Sequence, residues 1–240
     1  MKTLRTPVLL VIATLGIASL QAQTADEIIS KHVTALGGKD VLNSIKSVYV
    51  ESSIDIQGNA VPCITYILNG KGCKNEMDFN GQKIVQCVTD KGGWAVNPMM
   101  GATTPTAMPD DQVKASQSQL EIGGPLFEYA TKGNKVEMAG KDTTGGANAY
   151  KIKLTTKDAV VITFYIDAGT YYITKAVSKF SVGGQDVEMT SAFSDYRKTD
   201  QGYVLPYAQQ QMLPQFTLNI TTNKVEINKA IDPTIFDMPK

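Results

Sequence analysis

The chain is poor in the residues that catalysis and metal binding most often need. It has a single histidine, His32, a single tryptophan, Trp94, and three cysteines, Cys63, Cys73 and Cys87. Any nucleophile–histidine pair would have to use His32, which sits on an apolar helical stripe one turn from Ile28 and Leu36. The sequence contains no G-x-S-x-G elbow, H-E-x-x-H pair or phosphate-binding G-x-x-x-x-G-K-[ST] loop, and its Cys spacings match no zinc pattern. Neither sign of charge is in excess, with 23 basic and 23 acidic residues. A nucleic-acid partner needs a concentrated basic footprint, and a polybasic membrane patch is missing as well. Paired carboxylates at Asp110-Asp111 fit a helix start, where negative charge is favoured, and Asp142-Thr143-Thr144-Gly145 reads as a turn. Glu121 and Glu128 flank Gly123-Gly124-Pro125 without a derivable geometry. No catalytic residue, metal ligand or cofactor is assigned, and the chain is read as a non-enzyme.

Beyond residue 20 there is no long hydrophobic run. The one apolar stretch, Val8 to Leu20, follows Lys2 and Arg5 and ends at Leu20-Gln21-Ala22, the pattern of a cleaved export signal. No cysteine lies beside that point to carry a lipid anchor. Residues 1–22 are thus expected to be a signal peptide, and 23–240 a single domain, periplasmic and soluble rather than integral to the membrane.

What is present is dominated by period-two alternation. Thr24-Ala25-Asp26-Glu27 is a capping box, and Ile28, Ile29, His32, Val33 and Leu36 follow at helical spacing until Gly37-Gly38. Asp40 is expected to cap a short turn carrying Val41, Leu42 and Ile45. From Ser47 onward, hairpin signals recur at Gly58-Asn59, Asn69-Gly70 and Asn80-Gly81. Residues 60–68 pose a register conflict. Pairing through the first turn buries Val61, Cys63 and Ile67, whereas pairing through the second buries Ile64 and Tyr66, so either one turn is longer than it looks or the strand is buried on both sides. Tyr150, Ile152 and Leu154 alternate with lysines, and Phe216, Leu218 and Ile220 with polar residues. Further runs at 134–139, 159–166, 171–182 and 185–194 bring the expectation to about ten or eleven strands in one antiparallel sheet that must curl. The three cysteines are either free core thiols, or Cys63 and Cys73 are bridged across a hairpin.

Residues 92–124 break the rhythm and are expected to form a loop with a helix near Asp110 to Leu120. Trp94 with Met99 and Met100 offers a deformable apolar surface, suited either to ligands of variable shape or to filling a core.

Several segments, taken in order, resemble the LolA-like outer membrane lipoprotein-sorting proteins of Bacteroidetes type. They are Ile29-Ser30-Lys31-His32 through Gly37-Gly38, Ile45-Lys46-Ser47, Gly92-Gly93-Trp94 through Asn97-Pro98, Gly124-Pro125-Leu126, Tyr165-Ile166-Asp167, Ser194-Asp195-Tyr196, Leu205-Pro206 and Phe236-Asp237-Met238-Pro239. The resemblance implies a mainly β fold: a curved antiparallel sheet forming an incomplete β-barrel, covered by an N-terminal helix and a mid-chain helix and loop lid. It also implies a hydrophobic cavity for the acyl chains of a lipid or lipidated protein, an outer-membrane acceptor and no cofactor. The expected cavity or lid residues are Trp94, Met99, Met100, Met108, Leu126 and Phe127. The chain departs from the characterised carriers in its length and in having one arginine, Arg197, beyond residue 22. A cell-envelope sensor or assembly module gripping a protein partner is the alternative, and cavity volume separates the two: an open slot favours lipid, a filled interior favours protein contact.

Overall fold

The computed structural model describes residues 23–239 apart from 57, 147, 183, 214 and 215, so the expected signal peptide lies outside the described residues. Helix α1 (Ala25–Ala35) opens on the capping box: Thr24 Oγ1 accepts the Glu27 N–H at 3.2 Å, and the Glu27 carboxylate accepts the Thr24 N–H at 3.1 Å. Helix α2 (Lys39–Ser44) follows at once. Gly38, with φ of 87°, stands at its N-cap and Asp40 lies in the first turn, a correction to the expected Asp40 cap.

The strands are β1 (Ser47–Ile56), β2 (Asn59–Leu68), β3 (Gly72–Phe79), β4 (Gln82–Thr89), β5 (Gly92–Asn97) and β6 (Ala102–Ala107) in the first half. The second half supplies β7 (Lys135–Asp142), β8 (Ala149–Thr155), β9 (Val161–Asp167), β10 (Ile173–Val182), β11 (Gln185–Lys198), β12 (Val204–Met212) and β13 (Thr217–Ile227). All thirteen join one antiparallel sheet in the order β6-β5-β4-β3-β2-β1-β13-β12-β11-β10-β9-β8-β7. Two more strands form than the alternation predicts, because residues 92–107 pair as a hairpin instead of looping. Pro105, Gly92 and Gly93 mask the β-favouring threonines Thr103, Thr104 and Thr106 in that stretch.

The conflict at residues 60–68 resolves in both of the ways foreseen. Ile56 opposes Asn59, which leaves a two-residue turn, but Leu68 opposes Gly72, so the second turn holds three residues. Val61, Cys63 and Ile67 then share a face with Cys73 and Met77. Tyr66 and Leu68 face the other way and are covered too.

The first meander runs outward from β1 in the middle to the edge strand β6, and the second runs inward from the other edge, β7, to β13, where Val48 opposes Ile227. The segment joining β6 to β7 must therefore cross the whole sheet. It contains α3 (Asp110–Ser116) and a 3-10 turn (Gln117–Leu120), as the sequence predicts. Its packing traces the crossing: Met108, Val113 and Leu120 lie on Cys73 and Val88, Ile122 on Ile45, Val48 and Ile227, and Leu126 with Phe127 among the side chains of β8 and β9. Ile28, Ile29 and Val33 of α1, with Leu36 at its C-cap, cover the same face over Ile152, Leu154, Phe164 and Ile166. The largest core therefore sits under α1, at the β7 end of the sheet.

The opposite face has its own cover. The chain end after β13 lays Ile231, Ile235 and Phe236 against Cys87 and Trp94. Gly72 makes room for this, since a Cβ there would stand 2.6 Å from the Phe236 ring.

Candidate functional site

Between the sheet and the crossing segment lies a half-open cleft of about 750 Å³, within the range of small-molecule sites. Ile84 of β4 and Ile162 of β9 both line it. Those strands are far apart in the sheet order, so the sheet curves around the cleft without closing, and its edge strands β6 and β7 remain unpaired with each other among the described residues.

Strand parity decides what faces the cleft. Val50, Ser52 and Ile54 of β1, Cys63, Thr65 and Ile67 of β2, and Cys73, Asn75 and Met77 of β3 point into it. The alternate residues Glu51, Asp55, Lys74, Glu76 and Asp78 point away. The second arm repeats the pattern: Ser178, Met189, Ser191, Gln209, Gln211, Ile220 and Thr222 face inward and Lys179 and Glu188 outward, while a β-bulge after Thr222 turns Lys224 outward opposite Glu51. Among the described residues, the lining carries no Asp, Glu, Lys, Arg or His. Thr65 Oγ1 donates to Asn75 Oδ1 at 2.7 Å, which places a neutral polar row, Thr65–Asn75–Gln86, across β2, β3 and β4. Burial raises the Cys63 thiol and pushes that of Cys73 up to about 12, so both line the cleft as neutral groups. All three cysteines are free and buried; Cys63 opposes Met77 while Cys73 opposes Ile67, so they are not cross-strand partners.

The crossing segment is tied down as a lid. Gly70 N–H donates to the Leu120 carbonyl at 2.8 Å, Met108 N–H to the Gly93 carbonyl at 2.9 Å, and Gln117 Nε2 to the Thr89 carbonyl at 3.2 Å. Gly93 lets Met108 settle, because a Cβ there would approach its sulfur to 2.9 Å. Lys132 and Glu121 pair at 3.1 Å near its far end.

Of the six residues expected to form the cavity or lid, Met108 lines the cleft. Leu126 and Phe127 are buried beside it in the α1 core. Trp94 is placed elsewhere, outside the cleft lining and the lid in which it was expected. Gln86 faces the cleft and opposes Ala95, so the neighbouring pair Cys87 and Trp94 faces the opposite side. There Trp94 is 5% exposed and its Nε1 donates to the Phe236 carbonyl at 2.8 Å. Met99 and Met100 occupy a 3-10 turn at the tip of the edge hairpin, 60% and 83% exposed, and lie outside the cleft lining. The neutral polar residues were missed as site residues although a signal existed: in β3, charges occupy one parity and Cys73, Asn75 and Met77 the other.

His32 is 2% exposed, and its Nδ1 lies 2.8 Å from the Tyr171 carbonyl oxygen, which can only accept. Burial lowers its pKa, so the ring is a neutral donor in the core. Arg197 is exposed and held bidentately by Asp195, at 2.9 and 2.6 Å. Among the described residues no group of three His, Cys, Asp or Glu is placed to hold a metal, and no helix is long and apolar enough to cross a membrane.

No protein-family model and no curated protein sequence matches this chain. Solved structures do. A LolA superfamily protein from Nitrosomonas europaea superposes with a TM-score of 0.61 at 12% identity, covering 90% of this chain and 98% of that one. A DUF1329 family protein from Desulfovibrio piger gives 0.58 at 15% identity, covering 88% and 96%. A proposed outer membrane lipoprotein-sorting protein domain from Vibrio parahaemolyticus gives 0.55 at 12% identity, covering 88% and 95%. Matches of this size at so low an identity establish the architecture: the curved, unclosed sheet with its helix and lid is a LolA-like fold.

Proposed function

We propose that this chain is a bacterial cell-envelope carrier or binding protein that holds the acyl chain of a lipid or lipidated protein under the lid, for delivery to an acceptor at the outer membrane. The observation that carries the reading is the cleft of about 750 Å³ with no charged lining among the described residues. Each methylene taken out of water there contributes about 0.8 kcal/mol, so even a partly enclosed chain is held usefully. Met108 supplies an adaptable contact from the lid, and Leu126 and Phe127 form its anchored end. The fold likeness supports the carrier reading, and the basic start and short apolar run of residues 1–22 support export to the periplasm. A protein-gripping module would instead fill the sheet interior.

Mass spectrometry of organic extracts from protein purified without detergent tests the proposal. A co-purifying acylated molecule, absent from a variant with Ala115→Trp and Ser191→Trp filling the cleft, is expected. Wild-type protein that stays free of acyl ligand, and binds none when offered a panel, overturns it. N-terminal sequencing of the exported form tests cleavage after Ala22; retention of residues 1–22 in a membrane fraction contradicts the export reading.

A further inference from the structure

The cleft is uncharged without being wholly apolar. Its polar groups are carboxamides, hydroxyls and thiols, brought in from both arms of the sheet and from the lid. Gln86 on β4 and Gln209 on β12 face each other's side of the cleft from opposite arms, and Gln112 looks down from α3. Among the described residues, the side-chain amides of Gln86 and Gln209 have no protein hydrogen-bond partner. A slot that only held hydrocarbon would gain nothing from such groups, because each must be stripped of water when the chain enters. A ligand with its own amide replaces that lost water, since a carboxamide both donates and accepts. An acyl anion fares worse: it needs a cation or several N–H donors once desolvated, and the lining provides no cation.

We infer that the cleft selects acyl chains joined through an uncharged amide over the corresponding acyl anions, with Gln86 and Gln209 as the specificity-determining residues. The inference rests on the carrier reading above and adds the class of ligand.

Isothermal titration calorimetry at pH 8 compares N-dodecanoylglycinamide with dodecanoate, two probes of equal chain length, below their micelle-forming concentrations. The neutral amide is expected to bind at least tenfold more tightly. Gln86→Lys is expected to reverse the order by giving the carboxylate a partner, and Gln209→Lys provides the same reversal from the other arm, with far-UV circular dichroism verifying the fold of each. Equal binding of the two probes, or tighter binding of dodecanoate by the wild type, overturns the inference while leaving the carrier reading intact. Preference that persists in both folded variants overturns the assignment to these glutamines. Failure of both probes to bind overturns the carrier reading together with the inference.

Discussion

His32 shows how burial turns a titratable side chain into a structural one. Its folded pKa is lowered by desolvation, while the unfolded imidazole keeps its ordinary value of 6.5. The unfolded chain therefore binds the proton more readily, and stability is complete above pH 6.5 and declines as the pH falls below it. The urea midpoint of the wild type is expected to drop between pH 7.5 and pH 5.5, and His32→Gln to flatten that slope; equal slopes would mean that His32 titrates normally. The cysteines obey the same logic. Burial pushes the thiols of Cys73 and Cys87 up to about 12 and about 11, so neither is a thiolate near neutrality. A thiol reagent at pH 8 is expected to label Cys87 only after unfolding, and to count three thiols in denaturant. A count of one would reveal a bridge.

At the scale of elements, two segments cover the sheet from opposite faces, and they differ in purpose. The lid closes the cleft side, while the chain end from Ile231 to Phe236 seals the other with one aromatic ring over Gly72 and one carbonyl shared by Trp94 Nε1 and Cys87 Sγ. Phe236→Ala is expected to cost about 3–5 kcal/mol of stability, the range for deleting a buried aromatic, and to shift Trp94 emission to the red. Because Trp94 lies across the sheet from the cleft, its emission in the wild type is expected to stay unchanged when an acyl ligand is titrated in. A ligand-dependent shift would mean that the chain end and the lid move together. The unpaired edges are guarded by composition: β6 carries Pro105, and β7 carries Lys135, Glu137 and Lys141, features that disfavour strand addition by another chain.

For the whole molecule, the consequential join is between β1 and β13. Each meander closes through local turns, but the seam pairs Val48 with Ile227 and Ile54 with Ile220, near opposite ends of the described chain. Loop closure must be paid for before such contacts form, so sheets with non-local seams fold slowly. Pulsed hydrogen exchange during refolding is expected to protect the β8–β9 amides before those of the β1–β13 ladder. Simultaneous protection would show that the arms do not form as separate units. The cleft exists only because this seam brings the arms together under the lid.

Much of this was legible in residues whose signals are local. Thr24 and Glu27 marked the start of α1, Asn80-Gly81 marked a turn in which both residues have positive φ, and the parity of Lys151 and Lys153 against Ile152 and Leu154 marked a wet and a dry face. The lid helix near Asp110 to Leu120 was visible as well, because its pattern breaks the period of the strands. Trp94 was not legible in the same way. Alternation states that successive strand residues face opposite sides but not which side will become concave, and both faces of β4 and β5 turned out to be covered. That choice belongs to the curvature of the sheet, the route of residues 108–134 across one face and the docking of Phe236 on the other. All three are contacts between residues distant in the chain, so no local pattern of side chains could encode them.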